Sequence, residues 1–232
     1  MSALRAVVFD LDDTLYPERA YVLSGFHAVA AWAEEQLQIP HHQGFAELRQ
    51  LFEDGVRGNT FNCWLESHGF APADWDSQMV KVYREHLPRI VPYPETEEML
   101  QRLWSRYRLG LVSDGHSQAQ RNKLASLGIG FYFDQSVFSD ELGVDARKPN
   151  PRPFALILER LAVAGRKAVY VADNPSEDFL GARRVGMWTV RVRYSEGLYS
   201  HLEPPSAEHA PDVEIDTLAR LQEMLVSIGE YA

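Results

Sequence analysis

The residues of this chain best suited to chemistry are aspartates at the ends of apolar runs. In Phe9-Asp10-Leu11-Asp12-Asp13-Thr14-Leu15 two acids, Asp10 and Asp12, follow a short buried run and are spaced to direct their carboxyl groups toward one point. With ordinary carboxyl pKa values near 4, both are charged at neutral pH and repel unless a cation or a shared proton compensates them. Taken alone, the segment also reads as a turn in which Asp13-Thr14 caps the next segment. A third acid alters that balance: Asp173 ends another apolar run and opens Asn174-Pro175-Ser176-Glu177-Asp178, a turn into a helix that continues through Gly181-Ala182-Arg183-Arg184. Carboxylates gathered from separate segments suit a hard, oxygen-ligated divalent ion. Mg²⁺ in particular is usually held by one or two carboxylates, with water and a phosphate completing its shell.

Two further elements complete the set. Lys148, in Arg147-Lys148-Pro149-Asn150-Pro151, offers a point charge to a phosphoryl group from a loop stiffened by prolines. Ser113, followed by Asp114-Gly115, offers a hydroxyl and nearby backbone N–H groups to its oxygens.

These residues need elements that bring them to one edge. The runs Ala6–Phe9, Leu109–Val112 and Ala168–Ala172 are continuously apolar, as strands buried on both faces of a parallel sheet are. Trp188–Val192 and the weaker Gln135–Phe138 extend the set. Helical patterns cover Glu95–Tyr107, with Met99, Leu100, Leu103 and Trp104 on one side, Gln118–Leu127, with Ser117 as N-cap and Gly128 as stop, and Arg152–Ala164, opened by Asn150. Alternating strands and helices predict an α/β fold with a doubly wound parallel sheet, whose ligands sit at the carboxyl ends of the strands. Asp10, Ser113 and Asp173 fall there.

Between Glu18 and Arg89 that alternation stops. Tyr21–Leu37, Phe45–Val56, Phe61–His68 and Ala73–Leu87 read as helices with no strand between them, and Pro88-Arg89-Ile90-Val91-Pro92-Tyr93-Pro94 resists helix as a hinge would. The expected organisation is an α/β core of residues 1–17 and 93–232 with a helical domain, residues 18–92, inserted after the first strand.

In this order, Asp10-Leu11-Asp12-Asp13-Thr14, Ser113, Lys148 and Asp173 to Asp178 resemble the four sequence motifs of the haloacid dehalogenase-like (HAD) hydrolases. The likeness spans essentially the whole chain, and the helical insert is similar to the family's type 1 cap over a Rossmann-like core. It implies that Asp10 is the nucleophile forming an aspartyl-phosphate, and that Asp12 protonates the leaving oxygen and then activates water. It implies Mg²⁺ held by the Asp10 and Asp173 carboxylates and the Asp12 main-chain carbonyl, with Asp178 in support. Thr14, Ser113, Asp114 and Lys148 would bind and orient the phosphate. Departures are small. Ala172 stands where glycine is common, Asp114 where asparagine is frequent, and His116 reads either as a substrate contact or as a surface or capping residue.

Asp12 argues for phosphoryl transfer over the carbon chemistry of dehalogenases, and Lys81 is the single lysine of the insert, a poor match to phosphonatases with a Schiff-base lysine. A phosphomutase shares the core residues. A non-catalytic phosphate- or metal-sensing module is the reading from outside enzymology. In the insert, Arg57, Asn59, Asn62 and Trp64 offer a guanidinium, two amides and an aromatic platform, although Phe61 and Trp64 equally read as core.

Composition narrows the partners. The 232 residues carry 23 basic and 33 acidic side chains, a net charge of −10, which disfavours nucleic acid and anionic membranes. Cys63 is the sole cysteine, so no intramolecular disulfide is possible. Asp10 interrupts the N-terminal apolar run and no stretch of about 18 apolar residues occurs, which points to a soluble cytoplasmic protein; a small phosphorylated metabolite as its substrate is what the family resemblance implies. The oligomeric state is not legible.

Overall fold

The computed structural model describes residues 4–231 and divides into two compact units, Met1–Arg19 with Val91–Ala232, and Ala20–Ile90. In the first unit a six-stranded parallel sheet has the order β3-β2-β1-β4-β5-β6. Its strands are β1 (Ala6–Phe9), β2 (Arg108–Ser113), β3 (Gln135–Phe138), β4 (Ala168–Ala172), β5 (Trp188–Val192) and β6 (Val213–Ile215). With helices on both sides, it is the doubly wound α/β fold that the apolar runs predict. Strands β1 and β4 are wholly buried because both faces are covered.

The connections run from β1 to β2 and β3 on one side, then cross to β4 on the other, so the strand order reverses at β1. The register pairs Val8 with Gly110 and with Tyr170, and Phe9 with Leu111 and Val171, which places Asp10 and Asp173 past adjacent strand ends at that switch point. On one face Ala6, Val8, Ala168, Tyr170 and Ala172 pack on Phe154, Ile157 and Leu161 of α7 (Arg152–Leu161) and Phe179 and Ala182 of α8 (Asp178–Arg184). Each large side chain so buried contributes about 1.5–3 kcal/mol. Gly110 lets α7 approach, since a Cβ there would lie 3.0 Å from both Ile157 and Leu161.

Helix α5 (Thr96–Trp104) is shorter than Glu95–Tyr107, and Trp104 is 55% exposed instead of joining Met99, Leu100 and Leu103 inside. Helix α6 (Ser117–Leu127) includes Ser117 as its first residue. His116 takes the N-cap position, and the Ser117 N–H is met by the Asp140 carboxylate from another segment. Gly128, with φ of 67°, closes α6 as the pattern predicts. Strand β6 and α9 (Leu221–Tyr231) have no counterpart among the elements expected from the sequence.

The second unit consists of most of α1 (Glu18–Leu37) with α2 (His41–Glu53), α3 (Thr60–Ser67) and α4 (Pro72–Glu85). Its core is aromatic. Phe26 meets Phe52, Phe61 and Tyr83 edge-on or tilted at 6.1–6.2 Å, and Trp64 is fully buried with Nε1 donating to Glu47 at 2.8 Å. Phe61 and Trp64 are therefore packing residues. Arg57 lies 3.8 Å over the Phe52 ring and donates to the Phe52 carbonyl at 2.6 Å, so its guanidinium is engaged within the unit.

Candidate active site

Asp10 continues β1, its N–H donating to the Val171 carbonyl at 2.9 Å, and its side chain is 5% exposed. The backbone then turns at Asp13, whose φ of 50° is in the left-handed region that aspartate tolerates. Asp13 anchors the turn: its two oxygens accept the Glu18 and Leu198 N–H groups, each at 2.7 Å. This is the structural role open to Asp13 in the sequence, with a distant loop added as second partner.

Lys148 reaches the same point from the loop before α7. Its Nζ lies 2.7 Å from Asp10 Oδ1, 2.6 Å from Asp178 Oδ1 and 3.3 Å from the Tyr170 hydroxyl, and its side chain is 6% exposed. Asp114 Oδ2 accepts the Lys148 N–H at 2.8 Å, and Asp114 Oδ1 is buried without a partner. Asp178 opens α8, accepts from Lys148 and Tyr170 with one oxygen, and with the other holds the Asn174 N–H at 2.9 Å. It thus fixes both the ammonium and the turn that carries Asp173.

These groups line a cavity of about 190 Å³, bordered by Asp10, Asp12, Glu18, Asp114, Lys148, Asp173, Glu177, Asp178 and Tyr199 among others. Thr14 and Ser113, the two expected phosphate hydroxyls, are not among its lining residues. Thr14 is fully buried with Oγ1 3.4 Å from Asp173 Oδ1, and Ser113 is buried with Oγ accepting from Gln120 at 2.6 Å. His116 at the N-cap of α6 makes no side-chain cap hydrogen bond, and its buried Nδ1 has no partner.

The electrostatics show an excess of negative charge. Burial pushes the Asp10 carboxyl up to about 8 against the pull of Lys148, with Asp178 and Asp12 adding to the rise. Glu18 is also pushed up to about 8, by burial and by Asp12. Asp173 stands well above the usual carboxylate range, from burial and the nearby charges of Asp178 and Asp10. Burial works the same way on Asp12, yet Lys123, Tyr16 and Gln120 together hold that carboxyl below its ordinary value. Lys148 is the converse case: burial opposes its charge, and Asp10 and Asp178 keep it firmly protonated.

Buried carboxylates that raise one another's pKa values are what a divalent cation relieves, and an all-oxygen set suits Mg²⁺. Among the described residues no group of three or more His, Cys, Asp or Glu side chains could hold a metal ion. The set of two carboxylates and a carbonyl that the motifs imply does not require such a group.

Several contributing residues carry no motif of their own. Lys123, Gln120 and Tyr16 all hydrogen-bond Asp12. Arg191, with no exposed surface, donates from Nε to the Asp173 carbonyl at 2.9 Å and from Nη2 to the Tyr199 carbonyl at 3.0 Å. A signal existed for Lys123: it falls on the buried stripe of α6 with Ala119, Gln120 and Leu127, where a lysine is unusual without a partner. Arg191, in the middle of an apolar strand, gave a comparable one.

The family model of the haloacid dehalogenase-like hydrolases matches residues 4–186. The chain is 33% identical over 99% of both sequences to a glyceraldehyde 3-phosphate phosphatase of Methanopyrus kandleri. It is 30% identical to a phosphoserine phosphatase of Thermus thermophilus, over 85% of this chain and 68% of that protein. Among solved structures, a HAD phosphatase from Thermococcus onnurineus superposes with a TM-score of 0.64 at 27% identity, over 96% of this chain and 98% of that one.

Proposed function

Because the chain belongs to the haloacid dehalogenase-like hydrolases, as an enzyme of their phosphatase branch, we propose that it hydrolyses a small phosphomonoester with Mg²⁺ through an aspartyl-phosphate on Asp10. The observation that carries this reading is the cavity at the β1 and β4 ends, which Asp10, Asp12 and Asp173 line together with Lys148, whose buried ammonium pairs with Asp10.

Asp10 attacks phosphorus, and Asp12, two residues on, supplies a proton to the leaving oxygen and later takes one from the attacking water. Lys148, fixed by Asp178, Tyr170 and the Asp114-held loop, offsets the phosphoryl charge. The Asp10 and Asp173 carboxylates with the Asp12 carbonyl would hold Mg²⁺. When bound, the cation draws charge from the phosphoryl oxygens and lowers the repulsion that an anionic substrate meets. The helical unit is proposed to carry the residues that select substrate.

Relatives named for three-carbon phosphates, glyceraldehyde 3-phosphate and phosphoserine, favour a substrate of that size. Among the described residues no helix is long and apolar enough to cross a membrane, in keeping with a cytoplasmic metabolite pool. The test is turnover of p-nitrophenyl phosphate and of a panel of triose phosphates, phosphoserine, phosphoglycolate, sugar phosphates and nucleotides, with Mg²⁺ and with EDTA. Turnover that EDTA and Asp10→Asn both abolish is expected. A folded wild-type protein inactive on the whole panel rejects the proposal.

A further inference from the structure

Gln120 and Lys123 lie three residues apart on α6, one turn above each other, and are only 1% and 5% exposed. An ammonium withdrawn that far from water needs partners, and Asp12 offers Lys123 both of its carboxylate oxygens. Its Nζ is 2.7 Å from Asp12 Oδ1 and 2.9 Å from Asp12 Oδ2. Gln120 Nε2 donates to Asp12 Oδ2 at 2.8 Å and to Ser113 Oγ at 2.6 Å, and the Tyr16 hydroxyl donates to Asp12 Oδ1. A carboxylate has about four acceptor sites. Those of Asp12 are met by Tyr16 from its own turn and by Gln120 and Lys123 from α6, so the carboxyl group is held in large part from a distant segment.

The geometry points to Lys123 as a positioning residue for Asp12: it aims the carboxyl group that transfers the proton, and it does not bind phosphate. This inference rests on the phosphatase reading. In the first half-reaction Asp12, ionised in the resting site, takes one proton from solvent as one of its acceptor sites is released; the Asp10–phosphorus bond then forms as the ester P–O bond breaks, and that proton goes to the departing oxygen. In the second, water oxygen bonds phosphorus, the Asp10–phosphorus bond breaks, and the water proton returns to Asp12. The first transfer matters greatly for an alkoxide leaving group and little for p-nitrophenolate, which departs as a stable anion. Misaiming Asp12 therefore slows alkyl esters far more than this aryl ester. Loss of a phosphate ligand, or a loosened fold, slows both alike.

The experiment measures kcat and KM with Mg²⁺ for wild type, Lys123→Met, Lys123→Gln and Lys123→Arg, on p-nitrophenyl phosphate and on the alkyl phosphate that the wild type turns over best. For Lys123→Met and Lys123→Gln, kcat on the alkyl ester should fall about 100-fold or more, in the range general acid catalysis supplies. On the aryl ester it should fall less than about 10-fold, with KM nearly unchanged for both. Lys123→Arg, able to span both Asp12 oxygens, should recover much of the alkyl activity. Equal losses on both esters, no loss, or collapse of all three variants would overturn the role. A wild type inactive on every ester rejects the phosphatase reading itself, whereas wild-type turnover with an unchanged alkyl-to-aryl ratio in the variants removes only the role given to Lys123.

Discussion

Replacing Arg191 tests whether the proposed Mg²⁺ site is held from behind. The side chain has no exposed surface and donates to the Asp173 and Tyr199 carbonyls, with Glu214 3.4 Å from Nη1. Its strand register, Ala172 beside Arg191, brings the guanidinium under the turn that carries Asp173. Arg191→Met leaves the Asp173 carbonyl buried without a partner, which costs about 1–3 kcal/mol. The Tyr199 carbonyl also accepts the Leu202 N–H at 3.0 Å and keeps that partner, so loss of the Arg191 bond there adds about 0.5–1.5 kcal/mol. Removing a buried charge, whose own desolvation opposed folding, offsets part of this. The net is about 2–3 kcal/mol, and at about 2–4 °C per kcal/mol for a chain of this size Tm falls about 5–10 °C. Arg191→Lys keeps the charge but reaches at most one carbonyl with a buried ammonium, so it should melt no higher than the Met variant despite being the conventional conservative change. Thermal melting followed by circular dichroism checks the order, and the Mg²⁺ concentration for half-maximal turnover should rise in both variants. An Arg191→Lys protein that melts within about 2 °C of wild type would refute the multi-carbonyl argument, since such small shifts are a fraction of one hydrogen bond.

Asp10→Asn should stabilise the metal-free protein in a pH-dependent way. The folded chain keeps the Asp10 proton between its ordinary value of 3.8 and about 8, while the unfolded chain has lost it, so wild-type stability falls as pH rises through that window, by at most about 1.4 kcal/mol per pH unit. Urea unfolding in EDTA should show the Asn advantage growing with pH and levelling above about pH 8; an advantage independent of pH would contradict the raised carboxyl. Gly181→Ala would bring a Cβ to 2.6 Å from the Pro149 carbonyl and 2.7 Å from the Phe154 ring. It should cost about 1–3 kcal/mol and lower kcat by shifting α8 with Asp178 from Lys148, and wild-type melting and turnover would show that α8 yields freely. In the helical unit, Trp64→Phe removes the donor to Glu47 at a cost of about 1 kcal/mol, and Trp64→Ala about 3–5 kcal/mol; a pair of variants equally stable in urea would remove Trp64 from the core.

How far each element was legible follows from where its information lies. The central strands announced themselves because β1 and β4 are buried on both faces and must be apolar throughout. β6, a three-residue edge strand reading Val213-Glu214-Ile215, is too short and too mixed to stand out from a loop. Helix α6 starts one residue earlier than its local pattern indicates because its capping acceptor, Asp140, comes from a segment over twenty residues away. Trp104 matched the apolar spacing of α5, yet the indole stays out, edge-on to Tyr132 at 6.2 Å.

Sequence alone determined which residues gather at the switch point, since Asp10, Lys148 and Asp173 each sit beside a local signal: a strand end, a proline-bounded loop, a turn into a helix. It could not determine what their side chains do once there. Thr14 and Ser113 have hydroxyls suited to phosphate, and in the fold Thr14 Oγ1 faces Asp173 at 3.4 Å while Ser113 Oγ accepts from Gln120. Asp12 owes its charge to Lys123, 111 residues away, and the Asp173 carbonyl owes its placement to Arg191. A short-range pattern records backbone conformation and burial, which neighbours in the chain decide. Hydrogen-bond partners and carboxyl pKa values depend on groups brought within about 3 Å by packing, and that information exists only in the folded chain.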